Sequence, residues 1–245
     1  MSPPAARQPA LLSVVIPAFN EAPNVEACYR ELVDVLEART GPFEAIVVDD
    51  GSTDGTGEIL RKLAVADPRL RVIRFRRNCG QTAALDAGFR AAAGAVVVTM
   101  DADLQNDPHD IPALLAALEG ADLVCGWRID RRDPWTKRAA SRVANRVRRR
   151  LTGDRVHDTG CTLKAMRHEA LDTLKLYRGM HRFLPALFTM EGFRVVEVPV
   201  HHRPRRAGVS KYGNWSRLWG GLADLWAVRW MARRRLAYEV EEERR

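Results

Sequence analysis

Residues 45–56 read AIVVDDGSTDGT. Ala45–Val48 form a short run of apolar, mostly β-branched residues, the pattern of a strand covered on both faces. It ends in Asp49 and Asp50 and a Gly/Ser/Thr/Asp turn, from which a helical pattern leads on over Asp54–Ala66. The same unit recurs on either side. Leu11–Ile16, Arg71–Phe75 and Val96–Met100 are further strand candidates. Asn24–Arg39 and Gln81–Ala93 are further helices. In the first helix Val25, Cys28, Tyr29, Leu32, Val33 and Leu36 recur at three- and four-residue steps, with Asn24 as N-cap and Gly41-Pro42 as the stop. This βαβαβαβ order predicts an α/β fold, a mostly parallel, Rossmann-like sheet with helices on both faces. A helix over Ile111–Glu119 and a fifth strand over Leu123–Trp127 continue it. Beyond residue 128 the reading is a basic helix Trp135–Leu151, a strand near Thr162–Met166, a helical stretch Phe183–Met190, a strand Val195–Val200 and an amphipathic helix Trp215–Tyr238.

Open α/β sheets bind ligands outside the carboxyl ends of their strands. Three acidic or polar turns fall there: Pro17-Ala18-Phe19-Asn20-Glu21, Asp49–Thr56, and Asp101-Ala102-Asp103-Leu104-Gln105. Any one of them could be an ordinary turn or helix cap. Three on one sheet edge point to a site. In an extended segment Asp101 and Asp103, two residues apart, would face the same way. With the Gln105 amide they make an oxygen set suited to Mg²⁺ or Mn²⁺ carrying substrate phosphates. Two further carboxylates on one ion would repel too strongly, so Asp49 is assigned to the base or ribose of a nucleoside. Asp50 is assigned to holding the loop or assisting the metal region. Neither a Walker loop nor GxGxxG follows the first strand, so P-loop and dinucleotide readings fail.

The formal net charge is +8 and the pI about 9.8, a balance that favours anionic partners. The excess is concentrated at 128–150, where Arg138, Arg142, Arg146 and Arg149 lie at helical spacing beside an apolar stripe of Ala139, Val143 and Val147. Stacking aromatics and nucleic-acid motifs do not accompany this run, so nucleic acid is not the expected partner. The cysteines, Cys28, Cys79, Cys125 and Cys161, form neither a CxxC pair nor a zinc spacing and read as reduced cytosolic thiols. Residues 1–10 read as a disordered tail, and no run reaches the ~18 apolar residues of a spanning helix.

PAFNE, VDDGSTDGT, NCGQTAALDAG (Asn78–Gly88) and DADLQ, in this order, resemble glycosyltransferase family 2. Gly126-Trp127-Arg128, His157–Cys161 and RPRRAGVSKY (Arg203–Tyr212) resemble its dolichyl/polyprenyl-phosphate sugar transferase branch. The resemblance covers roughly residues 11–230. It implies a GT-A catalytic domain over 11–213, followed by an amphipathic helix and charged tail over 214–245. It further implies an inverting, metal-dependent transfer of a sugar from a UDP- or GDP-linked donor to a polyprenyl phosphate. Pro17, Phe19, Glu21, Asp49 and Asp103 would line the nucleotide pocket. Asp101, Asp103 and Gln105 would bind the metal. Arg206 and Lys211 would grip the donor diphosphate from a closing loop. Arg128, Ser141 and Arg142 would take the acceptor, with Asp158 beside them as base or orienting group. Phe19 stands where the family often has Tyr. A transfer to a hydroxyl acceptor, glycan or glycolipid, stays open at this point; it needs a carboxylate base, which a phosphate anion does not. In the terminal helix Trp215, Leu218, Trp219, Leu222, Leu225, Trp226 and Trp230 fall on one face, flanked by arginines. That pattern predicts a peripheral contact with the cytoplasmic face of a membrane. The sequence leaves the oligomeric state undecided.

Overall fold

The structure is a computed structural model that describes residues 12–39, 41–129, 148–204 and 214–236. The side chains of 39 and 214–222 are outside the description. The elements in chain order are β1 (Leu12–Ala18), α1 (Val25–Arg39), β2 (Phe43–Asp49), α2 (Thr56–Ala66), β3 (Leu70–Arg74), α3 (Gln81–Ala91), β4 (Val96–Thr99), α4 (Ile111–Leu118), β5 (Leu123–Arg128), β6 (Lys164–Arg167), α5 (His168–Asp172), α6 (Leu184–Met190), β7 (Val195–Val200) and α7 (Asn214–Arg234). Most of the expected basic helix, with Ser141 and Arg142, and the loop with Arg206 and Lys211 lie outside the described residues.

The strands form one seven-stranded sheet in the order β3-β2-β1-β4-β6-β5-β7. β1, β2, β3 and β4 are mutually parallel, as are β5 and β7; β6 runs antiparallel to both β4 and β5. The chain steps outward from β1 on one side through β2 and β3 and on the other through β4. That reversal opens a crevice at the carboxyl ends of β1 and β4. Because β6 runs backwards, with Lys164 opposite Thr99, the segment entering it arrives at the same edge.

Two apolar layers sandwich the sheet. One holds Val14, Ile16, Leu32, Leu36, Leu114 and Val98 beneath α1, α2 and α4. The other holds Val15, Ile46, Val48, Leu85, Phe89 and Phe188 beneath α3 and α6. Each such side chain, fully buried, stabilises the fold by roughly 1.5–3 kcal/mol. α3 lies close on β1: a Cβ at Gly88 would stand 2.2 Å from Cγ1 of Val15, so only glycine allows this approach.

The terminal helix departs from its expected arrangement. Leu225 and Val228 are buried against Met180, Phe183, Ala186 and Leu187, whereas Trp226 and Trp230 are 67% and 62% exposed. Among the residues whose side chains are described, the apolar face therefore divides: Leu225 and Val228 pack on their own domain, and Trp226 and Trp230 turn outward. The 100° step from Leu225 to Trp226 is enough to separate them.

Candidate active site

The first two turns are knitted together before any ligand is considered. The Asn20 N–H donates to Ser52 Oγ (2.8 Å) and the Thr53 N–H to Asn20 Oδ1 (2.8 Å). The Glu21 N–H donates to Thr56 Oγ1 (2.9 Å). Asn20 takes a left-handed φ of 54°, a conformation its short polar side chain tolerates. At the end of β2, Asp49 is fully buried. Its Oδ1 accepts from the Ser52 N–H (2.9 Å), and its Oδ2 forms an ion pair with Arg74 Nε at 3.1 Å. Asp50 points to the other side and clamps the 78–80 loop, accepting from Asn78 Nδ2 (2.9 Å), the Cys79 N–H (2.6 Å) and the Gly80 N–H (2.9 Å). Gly51 makes this crossing possible: its φ is +74°, and a Cβ there would lie 2.5 Å from the Arg77 carbonyl carbon.

The third turn is not the extended segment expected of Asp101-x-Asp103. β4 ends at Thr99, and residues 102–104 form a turn in which Leu104 has φ 62°. Asp101 is fixed by its neighbours. Gln81 Nε2 donates to Oδ1 (3.0 Å), Thr162 Oγ1 to Oδ2 (2.8 Å), and its own N–H donates to Asn106 Oδ1 (2.8 Å). Asp103 is buried, with Oδ1 accepting from the Gln105 N–H at 3.2 Å. Burial, and next the negative charge of Asp103, push the Asp101 carboxyl up to about 6. The buried Asp103 carboxylate beside the half-buried Asp101, whose proton affinity it raises, forms a donor set that a hard divalent cation would relieve, so the residues fit such an ion.

Glu31, Asp107 and His109 also converge closely enough to hold a cation. That place is filled by a side chain: Arg203 Nη1 donates to both Glu31 oxygens (2.7 and 2.9 Å), and Nη2 stands 2.8 Å from Asp107 Oδ2. The Arg203 N–H also donates to the Gln105 carbonyl (3.0 Å). Arg203 thus pins the chain leaving β7 onto the DADLQ turn, a role the sequence did not disclose.

Between these turns and the β6 side lies a cleft of about 1190 Å³. Its lining includes Pro17, Asp101, Gln105 and Arg128, together with Lys164, His181 and Arg182. Phe19, Glu21, Asp49, Asp50, Asp103 and Asp158 stand in or behind the turns around it and are not part of that lining. Arg128 and Asp158 form a fork: Nε to Oδ2 at 2.7 Å and Nη2 to Oδ1 at 2.9 Å, with side chains 18% and 6% exposed. The Gly160 N–H adds a bond to Asp158 Oδ1 (3.1 Å). Both Asp158 oxygens are thus engaged in hydrogen bonds. Lys164 is buried at the cleft, its ammonium donating to the Cys161 carbonyl. Lys164 and His181 come from segments without a recognisable motif; only the reversal of β6 and the packing of 176–184 on α3 bring them in.

The family profile of glycosyl transferase family 2 matches residues 13–175. A dodecaprenyl-phosphate galacturonate synthase of Rhizobium johnstonii is 40% identical over 228 residues, 91% of this chain and 67% of that protein. An undecaprenyl-phosphate 4-deoxy-4-formamido-L-arabinose transferase of Aeromonas hydrophila is 38% identical over 205 residues, 83% of this chain and 63% of that protein. The chain thus spans about two thirds of the length of these relatives. Among solved structures, glucosyl-3-phosphoglycerate synthase from Mycobacterium tuberculosis, in complex with Mn²⁺, UDP and phosphoglyceric acid, superposes with a TM-score of 0.65 at 23% identity. The match covers 91% of this chain and 78% of that one, and it bears out the GT-A-like architecture. With the profile spanning more than half its length, the chain belongs to glycosyl transferase family 2.

Proposed function

We propose that this protein transfers a sugar from a nucleoside-diphosphate donor to a polyprenyl phosphate, with inversion at the anomeric carbon. The observation that carries the reading is a single cleft holding both ends of the chemistry. Its lining includes Asp101 and Gln105 of the acidic turn, with Asp103 behind them, and Arg128 held by Asp158. The polyprenyl-phosphate names of relatives at 38–40% identity support the same acceptor class.

The nucleoside would stand over the turns of Pro17, Phe19, Glu21, Asp49 and Asp50. Asp101, Asp103 and Gln105 would hold Mg²⁺ or Mn²⁺, whose charge, once bound, favours departure of the diphosphate. Arg206 and Lys211, which follow Arg203 in the sequence, would supply further positive charge. Arg128, with Ser141 and Arg142, would dock the acceptor phosphate. That phosphate is already an anion near pH 7, so it attacks without surrendering a proton. This matches a site in which Asp158 is tied to Arg128 and orients it. A hydroxyl acceptor would call for a free carboxylate base instead. We assign residues 11–213 to catalysis. We also assign the outward Trp226 and Trp230, with Arg229 and Arg233–Arg235, to a contact with the cytoplasmic membrane surface. No helix among the described residues is long and apolar enough to cross a membrane.

The test is product mass spectrometry with undecaprenyl phosphate, Mn²⁺ and a panel of UDP- and GDP-linked sugars. Glycosyl phosphoprenol is the expected product. Sugar found only on added hydroxyl acceptors would overturn the acceptor assignment.

A further inference from the structure

His181 lines the cleft and has no part in the chemistry proposed above. His181 lies in the short 3₁₀ turn Met180–Phe183 that precedes α6 and packs on the amino end of α3. Its Nδ1 stands 2.7 Å from Thr82 Oγ1. The same hydroxyl oxygen accepts from the Gly179 N–H at 3.0 Å. Thr82 is buried, and among the described residues no other acceptor takes its hydroxyl hydrogen. If Nδ1 carried the proton, that hydrogen would be left without a partner, at a cost of about 1–3 kcal/mol. Donation from the Thr82 hydroxyl to Nδ1, with the ring proton on Nε2, satisfies both groups. Burial, and next the charge of Arg182, push the imidazole down to about 3, so the ring stays neutral.

We infer that His181 is a substrate-binding residue that presents a fixed, uncharged Nε2–H to an acceptor oxygen of the transferred sugar, and that Thr82 is the residue positioning it. The location favours the sugar: Thr82 follows Gln81, which holds Asp101, so His181 sits on the wall next to the acidic turn. The chemistry favours it too. Phosphates are better served by Arg128, Lys164, Arg178 and Arg182, which line the same cleft. A neutral donor of fixed direction discriminates by geometry, as recognition of one hydroxyl or carboxylate oxygen requires. The inference rests on the cleft being a nucleotide-sugar site.

Calorimetry on the full chain separates the two. With Mn²⁺ present, free UDP and GDP are compared with their glucose, galacturonate and mannose conjugates. The sugar's contribution is read as the ratio of the nucleotide's Kd to that of its best-bound conjugate. His181→Ala should lower this ratio about tenfold while leaving the Kd of the free nucleotide unchanged. His181→Gln, which keeps an N–H donor, should recover part of it. Nitrogen NMR of the ring should report Nδ1 as unprotonated between pH 5 and 8, and Thr82→Val should mix the tautomers and lower the ratio as well. An unchanged ratio in His181→Ala, or a protonated Nδ1 in the wild type, overturns the inference. Wild-type protein that binds none of these nucleotides overturns the functional reading on which it rests.

Discussion

Removing the Asp158 carboxylate should cost stability and acceptor affinity together, because its partner is a cation held at the edge of a cleft. The fork of 2.7 and 2.9 Å between Arg128 and Asp158 involves side chains only 18% and 6% exposed. Breaking a buried pair from one side costs about 3–5 kcal/mol, since the remaining charge loses its compensation. Water in the cleft reaches Arg128 and returns part of this, so Asp158→Ala should destabilise the fold by about 2–3 kcal/mol. For a chain of this size each kcal/mol lowers Tm by about 2–4 °C, which predicts a fall of about 4–12 °C. Arg128→Ala and the double variant complete a thermodynamic cycle whose coupling should reach about 2 kcal/mol. Steady-state assays of Asp158→Ala should show a raised KM for the prenyl phosphate, with kcat reduced less. Were Asp158 a general base, kcat would collapse, Tm would hold and the cycle would show no coupling. That pattern would refute the orienting role.

Asp50→Ala releases three donors of the 78–80 loop at 2.6–2.9 Å. It should lower stability by on the order of 3 kcal/mol and speed hydrogen exchange at Cys79 and Gly80; unchanged exchange would count against the clamp. The Asp101 carboxyl, pushed up to about 6, gives a pH signature. In metal-free protein the folded state keeps a proton that the unfolded chain has lost, so stability falls as pH rises through 6. Mn²⁺ competes with that proton, and its affinity should weaken about tenfold per pH unit below 6; a flat affinity from pH 5 to 7 would contradict the assignment. Trp226→Ser with Trp230→Ser should lower binding to anionic liposomes several-fold without shifting Tm, since both rings are exposed. Equal binding would remove the membrane role of α7.

The strands and helices of the first 128 residues were legible because their apolar runs and helical spacings are long and their turns are rich in Asp and Gly. Even so, boundaries moved by one or two residues, as at Asp54–Ala66 against Thr56–Ala66. The acidic turns were readable as chemistry but not as geometry. Leu104 adopts a left-handed backbone that side-chain pattern does not announce, so the alignment of Asp101 with Asp103 was inferred from the wrong conformation. Contacts distant in sequence were beyond reach. Arg128 meets Asp158 thirty residues on, Arg203 meets Glu31 across the whole domain, and Thr82 meets His181 across ninety-nine. Each depends on the reversal of β6 or the return of β7, which no local spacing encodes. The terminal helix was found, yet its faces were merged, because periodicity reports apolar residues without saying which of them the domain will cover.

The cation at the acidic turn is the part of the account from which the others follow. Electron paramagnetic resonance of Mn²⁺ titrated into the protein with UDP or GDP measures it directly. Nucleotide should tighten Mn²⁺ binding in the wild type, and Asp103→Asn should abolish that binding while the fold is retained. Mn²⁺ bound as tightly by Asp101→Asn and Asp103→Asn as by the wild type would contradict the account.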